Sequence, residues 1–232
     1  MACADRGMER GASASDETAC IDEPLDIIEE MNRQFDDAII TTDVGQHMML
    51  VSQYAEITEK KQLVMSGGLG TMGYGFPAAI GAQIGNPEKR VIAVSGDGGM
   101  QMNIQEFATA VLEETPVIAC VFNNTYLGMV RQWQKLFYGK RYGMTNLRAG
   151  ALSRRTDGAE FPEYTPDFVK LAESYGAKGI RVTKTEEISA AFEEAKKNTK
   201  TPTLIEFIID PEEMVYPMIK PGGTLEDMIM DC

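Results

Sequence analysis

The sequence predicts an α/β protein in which a doubly wound, mainly parallel sheet carries helices on both faces. Short apolar segments typical of strands alternate along the chain with amphipathic segments typical of helices, and this alternation is characteristic of parallel strands joined by helical crossovers. The segments RVIAVS (90–95) and PVIACVFN (116–123) are almost entirely apolar, as expected of strands covered on both faces. We therefore expect a single layer of strands between two layers of helices.

The elements are predicted to lie between two tails. Residues 1–22 are small and polar and predict a flexible tail or junction, residues 23–211 form the folded domain, and residues 212–232 form a C-terminal tail. Pro24 favours a helix start, and Thr165 is the predicted N-cap of a later helix. The predicted helices span 24–35, 46–57, 75–85, 103–114, 127–138, 165–176 and 186–198. The predicted strands span 38–43, 62–66, 90–95, 116–123, 177–182 and 201–209.

Composition excludes several classes of function. The 232 residues include 22 Lys and Arg against 35 Asp and Glu, and the resulting net charge of −13 argues against a nucleic-acid partner. No apolar run approaches the roughly 20 residues that a membrane span needs, so no membrane partner is expected. A single histidine excludes metal sites built from several histidines. The four cysteines are Cys3, Cys20, Cys120 and Cys232. They lie too far apart in sequence for a disulfide framework, which indicates a reduced, cytoplasmic protein.

In parallel sheets ligands bind at the carboxyl ends of the strands, so the residues that follow each strand are the candidates for function. The segment TTDVGQH (41–47) follows the first strand. It places Gln46 and His47 at the start of a helix, where both side chains could donate hydrogen bonds to an anion. A turn without a ligand is the alternative for this segment considered alone.

A second strand end is rich in glycine. The segment SGGLGTMGYGFP (66–77) contains the pattern G-x-G-x-x-G as Gly68, Gly70 and Gly73. Between a strand and a helix this pattern is typical of a dinucleotide-binding turn, with Asp97 as the candidate ribose-binding acid. A nicotinamide dehydrogenase domain is therefore an open alternative, although the following helix begins later than that motif expects.

The third strand end carries the strongest signal. SGDGGM (95–100) places Asp97 between glycines, and the next predicted strand ends in Asn123 and Asn124. One helix and one strand separate Asp97 from Asn124, so the two side chains can face each other across adjoining strand ends. Carboxylate and amide oxygens suit Mg²⁺, which completes its shell from phosphate oxygens, and glycines let backbone N–H groups approach a diphosphate.

These motifs together resemble a known family. GDG followed after some two dozen residues by NN is the thiamine-diphosphate signature. The surrounding segments resemble the C-terminal third of the acetolactate synthase catalytic subunit, over residues 24–227, and GMVRQWQ is the most specific of them. They are DVGQH (43–47), SGGLGTMGYGFPAAIGA (66–82), GDGGMQMNIQE (96–106), GMVRQWQ (128–134) and YPMIKPGG (216–223). The resemblance implies a thiamine-diphosphate-binding fold.

The resemblance also implies roles for individual residues. The magnesium ligands would be the side chains of Asp97 and Asn124 and the backbone carbonyl of Tyr126. The wall of the substrate channel would be formed by Met129, Val130 and Trp133. Met72 would be the apolar wedge beneath the cofactor. The full set of implied cofactor contacts is Gln46, His47, Gly70, Met72, Gly96, Asp97, Gly98, Gly99, Asn124, Tyr126, Gly128 and Met129.

In the family, the complete enzyme condenses pyruvate with a second 2-oxo acid through a thiamine-bound hydroxyethyl carbanion, in branched-chain amino acid biosynthesis. The activating glutamate belongs to an N-terminal domain and FAD to a middle domain. No catalytic residue is therefore assigned to this chain, and those domains, or a separate chain that carries them, are expected partners. A second copy of the chain and a regulatory small subunit are further implied partners. Half of another thiamine-dependent decarboxylase or oxidase remains an alternative.

Two further expectations concern surfaces around the predicted site. Residues 145–164 resemble a mobile active-site loop. Met72, Tyr74, Phe76 and Met129 are expected to form an apolar face that other domains would cover, and through which the isolated chain would associate with itself.

Overall fold

A computed structural model of the chain describes residues 19–148 and 166–230. Its strands are β1 Ile39–Thr42, β2 Gln62–Met65, β3 Val91–Gly96, β4 Ile118–Asn123, β5 Lys178–Val182, β6 Thr203–Ile208, β7 Met218–Ile219 and β8 Met228–Ile229. Its α-helices are α1 Leu25–Gln34, α2 Gln46–Tyr54, α3 Gly75–Gly85, α4 Asp97–Met100, α5 Phe107–Leu112, α6 Gly128–Phe137, α7 Phe168–Ser174 and α8 Ile188–Lys197.

The first six strands form one sheet in the order β2-β1-β3-β4-β6-β5. Every neighbouring pair in this sheet is parallel, and the predicted fold class is confirmed. The chain moves outward from β1 to β2 and then returns past β1 to β3, so the direction of winding reverses between β1 and β3. Ligands of open α/β sheets bind beside such a reversal, at the carboxyl ends of the strands.

Helices cover both faces of this sheet, and each face has its own apolar cluster. On one face α1, α2 and α8 pack against the sheet through residues such as Ile28, Val51 and Phe192. On the other face α3, α5 and α7 do so through residues such as Ala79, Phe107 and Phe168. Strands β3 and β4 are buried along their whole length, which explains the almost continuous apolar runs in their sequences.

Several boundaries differ from the sequence prediction for local reasons. The predicted helix 103–114 is a 3₁₀ turn at Ile104–Glu106 followed by α5. The N-cap of α7 is Asp167 rather than the predicted Thr165, because the carboxylate of Asp167 accepts a hydrogen bond from the Lys170 N–H at 3.2 Å. Thr165 itself lies outside the described residues.

Both predicted tails contain residues that pack against the domain. Ile21 is fully buried, and its N–H donates to the carbonyl of Ile208 at 2.8 Å, so the N-terminal segment pairs alongside the end of β6. At the other end β7 and β8 form an antiparallel pair, and Val215 is buried. Residues 1–18, in the predicted N-terminal tail, and 149–165, which hold most of the predicted active-site loop, lie outside the described residues.

The expected apolar face is smaller than the sequence suggests. Phe76 is a core residue that is only 2% exposed, with its ring centroid 4.5 Å from that of Phe107. Tyr74 is 36% exposed and remains available to a surface. Phe76 stands on the sheet side of α3, and the sequence pattern of this small-residue helix does not distinguish its two sides.

Within residues 19–148 and 166–230, none of the helices has both the length and the apolar character needed to cross a membrane.

Replacing Phe107 with alanine should lower the free energy of unfolding by about 3–5 kcal/mol, because a fully buried aromatic ring leaves a cavity when it is removed. Phe107 is fully buried and packs between Phe76 and Tyr175. Urea denaturation followed by circular dichroism measures the change. Leu112→Ala is the matched control, since Leu112 ends the same helix and is 80% exposed. It should cost less than about 0.5 kcal/mol, and equal losses for both variants would contradict this description of the core.

Candidate functional site

The carboxyl ends of β1, β3, β4 and β6 surround a cavity of about 200 Å³, referred to below as the site cavity. Most of the residues that the sequence predicts as cofactor contacts line it. They are Gln46, His47, Met72, Gly96, Asp97, Gly98, Gly99, Asn124, Tyr126, Gly128 and Met129. Gly70 is not among the lining residues, because it lies in the turn after the edge strand β2. The chain between Ile209 and Val215, which the prediction did not include, forms a further part of the wall.

Asp97 is the first residue of α4 and is 4% exposed. Its Oδ1 accepts a hydrogen bond from the Gly98 N–H at 2.7 Å, whereas its Oδ2 has no hydrogen-bond partner among the described residues. Burial raises the pKa of this carboxyl to about 7, against the opposing effect of backbone N–H groups. A buried carboxylate oxygen without a partner is costly and suits a bound cation.

Asn124 lies in a tight turn, residues 123–126, here called the asparagine turn. The Asn123 Oδ1 accepts from the Thr125 N–H and the Asn124 Oδ1 accepts from the Tyr126 N–H, both at 3.0 Å. These contacts hold Thr125 in a left-handed conformation with φ of 61°, which a residue with a β-carbon rarely adopts. The turn therefore presents Asn124 and Tyr126 to the site cavity.

A network of charged side chains on β5 and β6 stabilises the asparagine turn. Glu206 on β6 is fully buried and accepts a hydrogen bond from Asn123 Nδ2 at 2.7 Å. Arg181 on β5 pairs with Glu206 at 2.8 Å and with Asp167 at 2.7 Å. Burial raises the pKa of Glu206, while Asn123 and Arg181 oppose that rise. The prediction missed this network, because Glu206 and Arg181 stand in strands that are separate in sequence and neighbours only in the sheet.

Asp43, immediately after β1, connects three segments of the site. It is fully buried, and its carboxylate accepts from His47 Nε2 at 2.5 Å, from the Gly73 N–H at 2.8 Å and from the Ser95 hydroxyl at 3.0 Å. A β-carbon at Gly99 would clash with Asp43 Oδ2. Burial raises the pKa of Asp43, but its interactions with His47, the Gly73 N–H and the Ser95 hydroxyl together outweigh this effect, so the pKa lies below its usual value.

Asp43 was missed by the sequence analysis, although one signal pointed to it. It stands four positions before the only histidine of the chain, a spacing that brings two side chains together at the start of a helix. The contact with Gly73 could not be read in this way, since the glycine-rich turn is 30 positions distant in sequence.

Gln46 does not present free donors to the cavity. Its Nε2 donates to Gln132 Oε1 at 2.8 Å and to the Glu213 carbonyl at 3.0 Å. Its Oε1 accepts from Asn124 Nδ2 at 3.3 Å. In this arrangement the side chain bridges the asparagine turn to α6 and to the segment after β6, and its contact with an anion stays a prediction.

The predicted channel residues Met129, Val130 and Trp133 share a second hollow of about 520 Å³ on the exposed side of α6. Trp133 also packs edge-on against Phe137, with ring centroids 5.5 Å apart. Met129 and Val130 line both the hollow and the site cavity, whereas Trp133 lines only the hollow. The three residues therefore form one continuous surface beside the site.

The glycine-rich turn does not have the form of a dinucleotide site. Strand β2 is an edge strand, and α3 begins at Gly75, after the whole G-x-G-x-x-G pattern. Gly73 has a φ of 80°, and a β-carbon there would lie 2.6 Å from Met102 Cβ. The positive φ and the close approach of Met102 thus explain the glycine at position 73.

The described residues contain no group of three or more His, Cys, Asp or Glu side chains that could hold a metal ion. A cation bound at Asp97 would need amide, carbonyl or ligand oxygens for the rest of its shell. Asn124 and Tyr126 line the cavity with Asp97 and carry oxygens of these types. The donor set is therefore the one that a hard divalent ion prefers.

Comparisons with known proteins agree with this geometry. Residues 43–207 match the family described as "Thiamine pyrophosphate enzyme, C-terminal TPP binding domain". The chain is 42% identical to the acetolactate synthase large subunit of Corynebacterium glutamicum over 88% of this chain and 31% of that protein. It is 38% identical to the corresponding subunit of Haemophilus influenzae over 93% of this chain and 35% of the relative. Acetolactate synthase isozyme 3 large subunit of Escherichia coli is 40% identical, over 83% of this chain and 31% of the relative.

The chain spans about a third of the length of the curated relatives that it matches. The family match begins at Asp43, immediately after β1, and ends one residue before the end of β6, so it includes the carboxyl ends of β3 and β4 and the turns that follow them. The chain belongs to the thiamine pyrophosphate enzyme family, as a C-terminal TPP-binding domain.

Proposed function

We propose that this chain is the domain of an acetolactate synthase that holds the diphosphate of thiamine diphosphate and its Mg²⁺ ion. The complete enzyme would condense pyruvate with a second 2-oxo acid in branched-chain amino acid biosynthesis. The observation that carries the proposal is Asp97 Oδ2, a buried carboxylate oxygen without a partner among the described residues, beside Asn124 in the same cavity. The large subunits of acetolactate synthases among the relatives support the choice of enzyme.

In this proposal Asp97, the side chain of Asn124 and the carbonyl of Tyr126 bind Mg²⁺. Asp97 Oδ2 has no hydrogen-bond partner among the described residues, and Asn124 Oδ1 has a second lone pair besides the one that accepts from Tyr126. Backbone N–H groups near Gly98, Gly99 and Gly128 would bind the diphosphate. When bound, thiamine diphosphate would supply a nucleophilic ring carbon and a cationic ring that takes up the electron pair left by loss of CO₂.

In this proposal the chain's own carboxylates lie at the metal end of the site rather than beside the thiamine ring. Besides Asp97, the carboxylates that line the cavity among the described residues are Asp210 and Glu213. The Glu213 carbonyl bonds to Gln46, which in turn contacts Asn124, so this segment borders the metal end of the site. We infer that the activating glutamate comes from another domain, as the resemblance implies, and that such a domain, a second copy of the chain and a small subunit are partners.

We propose that the protein functions in the cytoplasm. Cys120 is a buried thiol outside any disulfide, which agrees with a reducing compartment.

Binding of thiamine diphosphate should require a divalent metal ion, and Asp97→Ala should weaken it by more than about 100-fold, because a direct ligand is removed. Titration calorimetry with and without Mg²⁺ measures both effects. Asp37→Ala is the matched control, since Asp37 is an exposed carboxylate in a turn far from the site, and it should leave the affinity unchanged. Metal-independent binding of NADH in the same assay would overturn the proposal in favour of a dehydrogenase domain.

The 232-residue chain alone, saturated with thiamine diphosphate and Mg²⁺, should form no measurable acetolactate from pyruvate. Loss of an acid–base group typically costs about 10²–10⁴-fold, and loss of substrate positioning adds to it. Colorimetric detection of acetoin after acid decarboxylation of the product measures the rate. Adding the separately expressed N-terminal two thirds of a relative should restore turnover. A rate for the chain alone close to that of a complete enzyme would refute the proposed division of the site, and restored decarboxylation without condensation would favour another thiamine-dependent decarboxylase.

A further inference from the structure

The pair formed by Asp43 and His47 is buried between the strand ends and the cavity. The carboxylate of Asp43 is fully buried, and the side chain of His47 is 7% exposed. Asp43 Oδ1 and His47 Nε2 lie 2.5 Å apart, at positions i and i+4. Because an ionised carboxylate only accepts hydrogen bonds, His47 Nε2 must carry a hydrogen in this contact.

The opposite edge of the imidazole faces the polypeptide that leads into Asp97. A β-carbon at Gly96 would lie 3.1 Å from His47 Nδ1 and 3.2 Å from Cε1. A β-carbon at Gly45 would lie 2.8 Å from Cε1 and 3.0 Å from Nδ1. The Nδ1–Cε1 edge is therefore confined between two glycines, and His47 lines the site cavity together with Gly96 and Asp97.

The orientation of Asp43 is itself set by two other segments. The Gly73 N–H and the Ser95 hydroxyl both donate to Oδ2, so Oδ1 is left for His47. These donors come from the glycine-rich turn and from β3, which are fixed by the fold rather than by α2. The imidazole therefore has a defined position in the cavity, and a defined nitrogen, Nδ1, directed away from Asp43.

We propose that Asp43 is a positioning residue that holds His47 with Nε2–H on the carboxylate, so that Nδ1–H donates to a diphosphate oxygen of the cofactor. The inference rests on the proposed function, since it assigns a residue to the diphosphate end of that site. A ring that donates at both nitrogens is a cation, and Asp43 supplies its counter-charge in a place where an isolated charge would be costly. Without Asp43 the ring would have neither a fixed orientation nor a counter-charge for its cationic form, so Nδ1–H would no longer be held toward the diphosphate.

The proposal can be tested on the unmodified chain, because His47 is its only histidine. With ¹⁵N-labelled histidine and no histidine tag, the two ring nitrogens give a single pair of NMR signals. In the free protein we expect Nε2 to be protonated. After addition of thiamine diphosphate and Mg²⁺ we expect both nitrogens to be protonated. A free protein with a bare Nε2, or a complex in which Nδ1 is not protonated, would overturn the proposal.

A variant gives an independent measurement. Asp43→Asn should weaken binding of thiamine diphosphate and of inorganic pyrophosphate, both with Mg²⁺, by about 10- to 100-fold, the usual loss for a charge-assisted hydrogen bond to an anion. Asp36→Asn makes the same chemical change at an exposed position and should leave both affinities unchanged. If Asp43→Asn weakens thiamine diphosphate while pyrophosphate binds as before, Asp43 does not act on the diphosphate and the proposal fails.

The possible results distinguish a failure of the proposed function from a failure of the inference about Asp43 and His47. If the unmodified chain binds neither thiamine diphosphate nor pyrophosphate, the proposed function is refuted, and the diphosphate role of His47 with it. If both ligands bind while the His47 signals stay unchanged, only the inference about the pair is refuted. If Asp43→Asn fails to fold, the NMR measurement on the unmodified chain still decides between the tautomers.

Discussion

The geometry of the site depends on the hydrogen bonds that the carboxylate of Asp43 accepts. This carboxylate stands at the end of β1 and joins the start of α2, the glycine-rich turn and the end of β3 through His47, Gly73 and Ser95. Each of these donors would be buried without a partner if the carboxylate were absent, and leaving such groups unpaired is expensive. The same carboxylate leaves no room for a side chain at Gly99, and this brings the backbone after Asp97 against the end of β1.

A second buried carboxylate has the same function on the other side of the cavity. Glu206 accepts a hydrogen bond from the side chain of Asn123, and Asn123 accepts one from the N–H of Thr125, whose backbone is in the left-handed conformation. The asparagine turn is therefore stabilised by a residue within the sheet. Arg181 compensates the charge of Glu206, and Asp167 compensates that of Arg181 in turn. Between these two satisfied networks stands Asp97, whose Oδ2 has no partner among the described residues. The unpaired oxygen of Asp97 is therefore the atom of the site that lacks a partner within the described residues and that a bound cation would contact.

The charge of the chain sets a further constraint. A protein with a net charge of −13 and three carboxylates lining its cavity repels a diphosphate at long range. Burial and the neighbouring Asp210 and Glu23 raise the pKa of Glu213, because a negative charge there is poorly solvated and lies near other carboxylates. In the proposed function, binding of the diphosphate then depends on short-range groups: a divalent ion, backbone N–H groups and the imidazole of His47. This agrees with the requirement for metal ion that the proposed function carries.

The sequence by itself determined the fold class, because long apolar runs such as Val91–Gly96 and Ile118–Asn123 are stable only when both faces of a parallel strand are covered. It also determined which strand ends carry polar residues, and most of those residues line one cavity. Only the tertiary structure decided how they are connected. Apart from His47, which is four positions from Asp43, the partners of Asp43, Glu206 and Gln46 come from segments distant in sequence, and the order of the strands brings them together. Local patterns record which face of an element is buried, whereas a hydrogen bond between elements depends on the packing of the whole sheet.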